Sequence, residues 1–213
     1  MFFLSPDPCH DDPAAADPRV YELSDVLSPS AARFVGSPQS YRDFFVAQRD
    51  AGKELWFYSC VNGKHLDPII YHRGQFWLAA QYGAKGSCYW AFGDEGGAGS
   101  SFAAYTSPWH MFSPLFLDPE MGVITGKHME AIREGAEDFE LFTMLGKRVA
   151  ELKAKGVDTP AVEAARTLLR DGPARGTHQI VLENLDRRIP KDRGVMDKLR
   201  VEVMDALVGL AGL

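Results

Sequence analysis

Glu54-Leu55-Trp56-Phe57-Tyr58-Ser59-Cys60 is the clearest strand in the chain, crowded with the aromatic side chains that favour a pleated surface. On its amino-terminal side Ser37-Pro38 opens a helix, with Ser37 expected as N-cap and Pro38 at the first helical position. Tyr41, Phe44, Phe45 and Gln48 share one face of that helix, and Gly52 ends it. On the carboxyl side Asp67-Pro68 opens a second helix, with Ile70, Phe76, Trp77 and Ala80 as its apolar set and Gly83 near its end. Ser87-Cys88-Tyr89-Trp90-Ala91-Phe92 then reads as another strand, running into Gly93-Asp94-Glu95-Gly96-Gly97. Further upstream, Phe2-Phe3-Leu4 and Asp25-Val26-Leu27-Ser28-Pro29 are two brief strand candidates.

Strand, helix, strand, helix, strand with short connectors is the βαβ pattern of a parallel sheet. The strands are apolar throughout rather than alternating, which predicts burial on both faces. Residues 1–125 are therefore expected to be α/β, with room for about four parallel βα units.

Residues 126–213 read as helical. Met129, Ile132, Ala136, Phe139, Phe142, Leu145, Val149 and Leu152 recur at three or four residues and predict one long amphipathic helix. Thr159-Pro160 caps a further helix, expected to end at Gly172. A segment from Gln179 to Arg188 and a last helix from Gly194 to Leu210, with Met196, Leu199, Val203 and Leu207 inward, complete the set. These elements read as packing. Arg133, Glu134, Glu137 and Asp138 read as a solvated turn with an Arg133–Glu137 pair, or as a structural tie to the loops of the first half.

The chain of 213 residues is 46% hydrophobic and 24% charged, an ordinary globular composition. Its formal charge of −6 gives no general attraction for nucleic acid or anionic lipid. No apolar run approaches the roughly 20 residues of a membrane helix. The opening MFFLSPDPCHDD lacks the basic and apolar regions of a signal peptide. Cys9, Cys60 and Cys88 form no C-x-x-C pair, and the histidines His10, His65, His72, His110, His128 and His178 show no metal-ligand spacing. No metal and no cofactor is expected, and no phosphate-binding or nucleophile-elbow motif occurs.

Three stretches carry a resemblance. Lys53-Glu54-Leu55-Trp56-Phe57-Tyr58-Ser59-Cys60, Gly86-Ser87-Cys88-Tyr89-Trp90-Ala91 and the helix Ala131-Ile132-Arg133-Glu134-Gly135-Ala136-Glu137-Asp138-Phe139-Glu140 are similar, in that order, to motifs of a bacterial domain-of-unknown-function family related to glycoside hydrolase family 123. The match covers roughly residues 20–155. The resemblance implies a (β/α)8 barrel acting on glycosides, with β-N-acetylhexosaminidase activity in some members. Those members resemble substrate-assisted hydrolases, in which an Asp-Glu pair orients the substrate's acetamido group and donates a proton. In the family that pair lies on an earlier strand, upstream of anything matched here. The βα alternation spans about half of the roughly 250 residues of a complete barrel. The chain thus reads as the carboxyl-terminal part of such a barrel followed by a helical region, self-associating or paired with a missing amino-terminal half. A small open α/β sheet flanked by helices fits the strand and helix pattern equally, and the alternative function is a non-catalytic carbohydrate-binding or structural half-barrel module without hydrolase activity.

Within that reading, the expected ligand is an amino-sugar glycoside. Aromatic rings suit the apolar C–H faces of sugars, and parallel-barrel sites sit at the carboxyl ends of strands. Tyr58, Trp90, Tyr105 and Trp109 are the expected stacking residues, with Asn62 and His110 as polar partners in the same connectors. Asp94 and Glu95 follow the second strand and are candidates for acid/base work or sugar hydrogen bonding. Their glycine-rich surroundings also fit a solvated turn, and adjacent strand carboxylates point to opposite sides.

Overall fold

The computed structural model describes the backbone of Phe3–Leu4 and residues 12–59, 67–90, 92, 113–118, 120, 122–178, 180 and 192–213. Four strands, β1 (Phe3–Leu4), β2 (Val26–Leu27), β3 (Glu54–Ser59) and β4 (Gly86–Tyr89), form one parallel sheet in the order β1-β2-β3-β4. Leu27 pairs with Leu55, and Trp56 with Gly86. Helices α1 (Pro18–Glu22), α2 (Ala31–Gly36) and α3 (Gln39–Asp50) occur along the first half of this path. Between β3 and β4 the chain makes a π-turn, Ile69–Arg73, that runs directly into α4 (Gly74–Tyr82). Gly83 closes α4 in the left-handed conformation (φ 62°), which costs glycine nothing. A short antiparallel pair, β5 (Phe116–Asp118) and β6 (Gly122–Ile124), leads to α5 (Lys127–Ala154), α6 (Pro160–Thr177) and α7 (Gly194–Leu210).

The expected α/β half and helical half are both present, but several expectations need correction. The strand β3 is not buried on both faces. Leu55, Phe57 and Ser59 are buried while Glu54, Trp56 and Tyr58 are half-buried. The helical layer seals one face of the sheet, with Phe34 of α2 packed edge-on against Phe57 at 4.8 Å and Tyr41 and Phe45 of α3 in the same core. Ser37 does not cap α3. It terminates α2, donating its N–H to the Arg33 carbonyl, and Pro38 takes the N-cap position. With two helices abutting, one residue cannot serve both ends.

Helix α6 runs past Gly172 to Thr177. Packing overrides the helix-breaking character of Gly172-Pro173. A Cβ on Gly176 would lie 2.2 Å from the Trp77 ring, so only glycine lets the last turn of α6 close over that indole. The stripe expected along α5 holds from Phe142 to Leu152 but is rotated before it. There the buried residues are His128, Ala131, Gly135 and Asp138, while Met129, Ile132 and Phe139 are half-buried and Ala136 is exposed. Gly135 shows why: a Cβ there would sit 2.5 Å from Phe76 and 3.0 Å from the Arg73 Cα, so α5 crosses the π-turn at backbone contact. The Gln179–Arg188 segment lies outside the described residues apart from Ile180.

Helix α4 is the shared plank. Its apolar side chains point in most directions, as in a helix buried between two layers. Leu78 and Ala79 join the sheet-side core with Leu55 and Phe57, whereas Trp77 joins Phe142, Leu145, Leu152, Leu199 and Val203 in the core of the helical half.

Candidate functional site

The parallel sheet brings the carboxyl ends of β3 and β4 side by side. Tyr58 stands half-buried on β3, and Trp90 immediately follows β4, its N–H donating to the Ser59 carbonyl at 3.0 Å. Trp90 is 55% exposed and Phe92, two residues on, is 62% exposed. The Phe92 carbonyl accepts a hydrogen bond from Ser113 Oγ, which fixes the path of the chain there. Of the residues expected to bind a sugar, Tyr58 and Trp90 are thus at adjacent strand ends. Asn62, Asp94, Glu95, Tyr105, Trp109 and His110 lie outside the described residues.

Beneath these strand ends lies a polar network that reading for apolar pattern misses. Ser59 Oγ donates to Gln75 Oε1, and Gln75 Nε2 donates to the Phe57 carbonyl at 3.1 Å and to Ser87 Oγ at 2.8 Å. Ser87 Oγ donates to Tyr89 Oη, and Tyr89 Oη to the His72 carbonyl, both at 3.0 Å. One glutamine on α4 therefore ties both strand ends together, and the chain of donors ends on the π-turn. Burial pushes the Tyr89 phenol above its ordinary value, against the opposing hydrogen bond from Ser87, so it works as a neutral group. Burial likewise raises the Cys88 thiol, partly offset by its contact with Ser28; this half-buried thiol is not an activated nucleophile. His72 also meets His128 of α5, Nε2 to Nδ1 at 3.1 Å, both rings buried.

The next residue of the π-turn, Arg73, anchors a network of the opposite kind. Its side chain and that of Asp138 are each 1% exposed, with Nε 2.7 Å from Asp138 Oδ2. The same oxygen accepts from Trp77 Nε1 at 2.7 Å, and Asp138 Oδ1 accepts from Arg200 at 3.1 Å. Arg73 also pairs with Asp197 and Glu134, and Arg193, at the N-cap of α7, bridges those two acids. Burial pushes the Asp138 carboxyl up, opposed by Arg73, Trp77 and Arg200. Burial also works against the Arg73 charge, but Asp138 and Asp197 outweigh it and hold the guanidinium above its ordinary value. Asp138 is therefore a buried clamp rather than part of a solvated turn, as a structural tie to the first half would have it. The Arg133–Glu137 pair is formed on the surface beside it. A groove of about 440 Å³ lies over this cluster. Every arginine lining it is engaged by carboxylates, so it has no spare cation to hold an anion.

Among the described residues no cluster of three metal-ligating side chains occurs. No described helix is long and apolar enough to cross a membrane. No protein-family model matches the chain, and a search of curated proteins returns no match.

Proposed function

We propose that the carboxyl ends of β3 and β4 form one wall of a carbohydrate cleft, in a chain that supplies part of a (β/α)8-type barrel. The observation that carries this reading is the pair of exposed aromatic rings, Trp90 and Phe92, just beyond the carboxyl end of a parallel strand, with Tyr58 at the end of its neighbour. Exposed aromatics on an anchored segment suit stacking on the apolar face of a sugar ring. The sequential order β1-β2-β3-β4 has no reversal point, so the sheet winds in one direction as barrel sheets do and as doubly wound sheets do not. The resemblance of three stretches of sequence to motifs of a family related to glycoside hydrolase family 123 points the same way and favours an N-acetylated amino sugar.

The role assigned here is binding. The described groups under the strand ends (Ser59, Gln75, Ser87, Tyr89) are neutral hydrogen-bonding groups rather than an acid/base pair. The test is a tryptophan-fluorescence titration with N,N′-diacetylchitobiose and with N-acetylgalactosamine, alongside an assay for hydrolysis of their aryl β-glycosides. Saturable quenching that Trp90→Ala abolishes is the expected result. Quenching unchanged in Trp90→Ala, or no binding of either sugar, overturns the proposal. Hydrolysis that disappears in Asp94→Asn/Glu95→Gln would extend the role from binding to catalysis.

A further inference from the structure

We infer that the outer seam between α5 and α7 is a homodimer interface, in which α5 packs antiparallel against α5 of a second copy about Met144. The seam is defined by how the two helices run. Glu137 of α5 pairs with Arg200 of α7, and further along Arg148 donates to the Leu210 carbonyl at 2.9 Å, so the helices are parallel and in step. Met144, 47% exposed, therefore lies alongside the stretch of α7 from Met204 to Val208.

Helix α7 buries Met196, Leu199, Val203 and Leu210 against the core, as its amphipathic pattern requires. It also carries a second apolar line, Val201, Met204 and Val208, spaced by three and four residues and open to solvent, Val208 at 75%. One helix face is needed to hold α7 in the fold, so this second line is surplus to folding. Together with Met144 it makes a contiguous apolar strip on one side of the molecule, of the kind that marks an interaction surface. Two of its members are methionines, whose flexible side chains adapt to a facing surface.

Charge identifies the occupant. Glu140 lies one turn before Met144 and Lys147 one turn after it, on the same face of α5, both exposed. Neither takes part in an ion pair among the described residues, on a helix where Arg133, Glu137, Arg148 and Glu151 all do. A second α5 laid antiparallel across Met144 brings Glu140 of each copy opposite Lys147 of the other, twice by symmetry. A parallel pairing would set like charges against each other and bury the same apolar strip at a penalty. The strip is thus self-complementary in one orientation only.

The test is sedimentation equilibrium of the full chain over a range of concentrations, with circular dichroism to confirm folding of each variant. Wild type is expected to dimerise reversibly, and Met144→Glu/Val208→Glu to be monomeric with an unchanged spectrum. Glu140→Lys and Lys147→Glu should each weaken the dimer by roughly tenfold or more, because each sets like charges opposite one another. The double reversal Glu140→Lys/Lys147→Glu should restore it. A chain that is monomeric at every concentration overturns the inference. So does a dimer indifferent to the single reversals, or a double reversal as weak as its parents.

Discussion

At the carboxyl ends of β3 and β4 the buried polar atoms are satisfied by neutral groups, a line of hydroxyl and amide donors running from Ser59 through Gln75, Ser87 and Tyr89 to the His72 carbonyl. Some residues away, between the π-turn, α5 and α7, they are satisfied by charges, with Arg73 and Asp138 in the interior and Asp197, Glu134, Arg193 and Arg200 around them. The two networks share the π-turn: the His72 backbone ends the first and the Arg73 side chain begins the second. A π-turn adds a residue to the ordinary helical repeat, so successive side chains face partners that an α-helix would not offer together. The neutral network holds two strand ends in place without introducing a charge beside the exposed aromatics. The ionic one fastens the helical half to the sheet half and accepts the desolvation this entails.

The largest effect should come from breaking the ionic network on one side only. Asp138→Ala leaves Arg73 buried without its most deeply buried carboxylate partner and Trp77 Nε1 without an acceptor, and a broken buried pair costs about 3–5 kcal/mol. Chemical denaturation should show the unfolding free energy falling by that amount. Replacing Arg73 and Asp138 together by apolar residues of similar size should cost much less, since neither charge is then left unpaired.

Gly135→Ala probes the backbone contact that brings the two networks together. Its new methyl overlaps Phe76 and the Arg73 backbone, and overpacking of this kind costs about 1–3 kcal/mol in the same assay. Gln75→Ala should fall in a similar range, about 1–3 kcal/mol, because Ser59 and the Phe57 carbonyl lose a buried partner. That variant should also lose sugar quenching, which Gly135→Ala should retain.

A smaller effect separates the networks by pH. Burial pushes the Asp197 carboxyl up, but Arg193 and Arg73 outweigh that and hold it below its ordinary 3.8. A depressed carboxyl contributes stability that is present above the unfolded value and lost as pH falls through the folded one. Stability should therefore decline below about pH 4, and Asp197→Asn should flatten that decline. The neutral strand-end network has no comparable acid limb, so Gln75→Ala should leave its shape unchanged. The smallest effect on stability belongs to Trp90→Ala. More than half of that side chain is exposed, so its truncation should cost less than either core variant above, while its effect on sugar binding should be complete.

How far the sequence reveals this follows the same division. The strand Glu54–Ser59 is legible because its aromatic crowding has no helical reading, and Gly52 and Gly83 mark the ends of the helices around it. Trp90 is legible as a residue at a strand end. The half-burial of Glu54, Trp56 and Tyr58 is not, because local pattern does not say how many faces a neighbouring layer will cover. In α5 the true inward line is His128, Ala131, Gly135, Asp138, Phe142, Leu145, Val149 and Leu152, an unbroken alternation of three and four. Following apolar residues alone gives 129, 132, 136 and 139, and forces three steps of three in succession from Ala136 to Leu145. That break in spacing is the signal that buried polar residues occupy the first turns. Nothing local marks Arg73 as their partner, since its contact with Asp138 spans 65 residues. Gln75 is hidden for the same reason, in a helix whose apolar content explains its burial without it.

Hydrogen–deuterium exchange with and without N,N′-diacetylchitobiose tests most directly whether the strand ends bind while the helical half supports them. Protection confined to the carboxyl ends of β3 and β4 and the residues just beyond, absent in Trp90→Ala, is the expected result. Protection centred on α5 to α7, or none at saturating sugar, would contradict it.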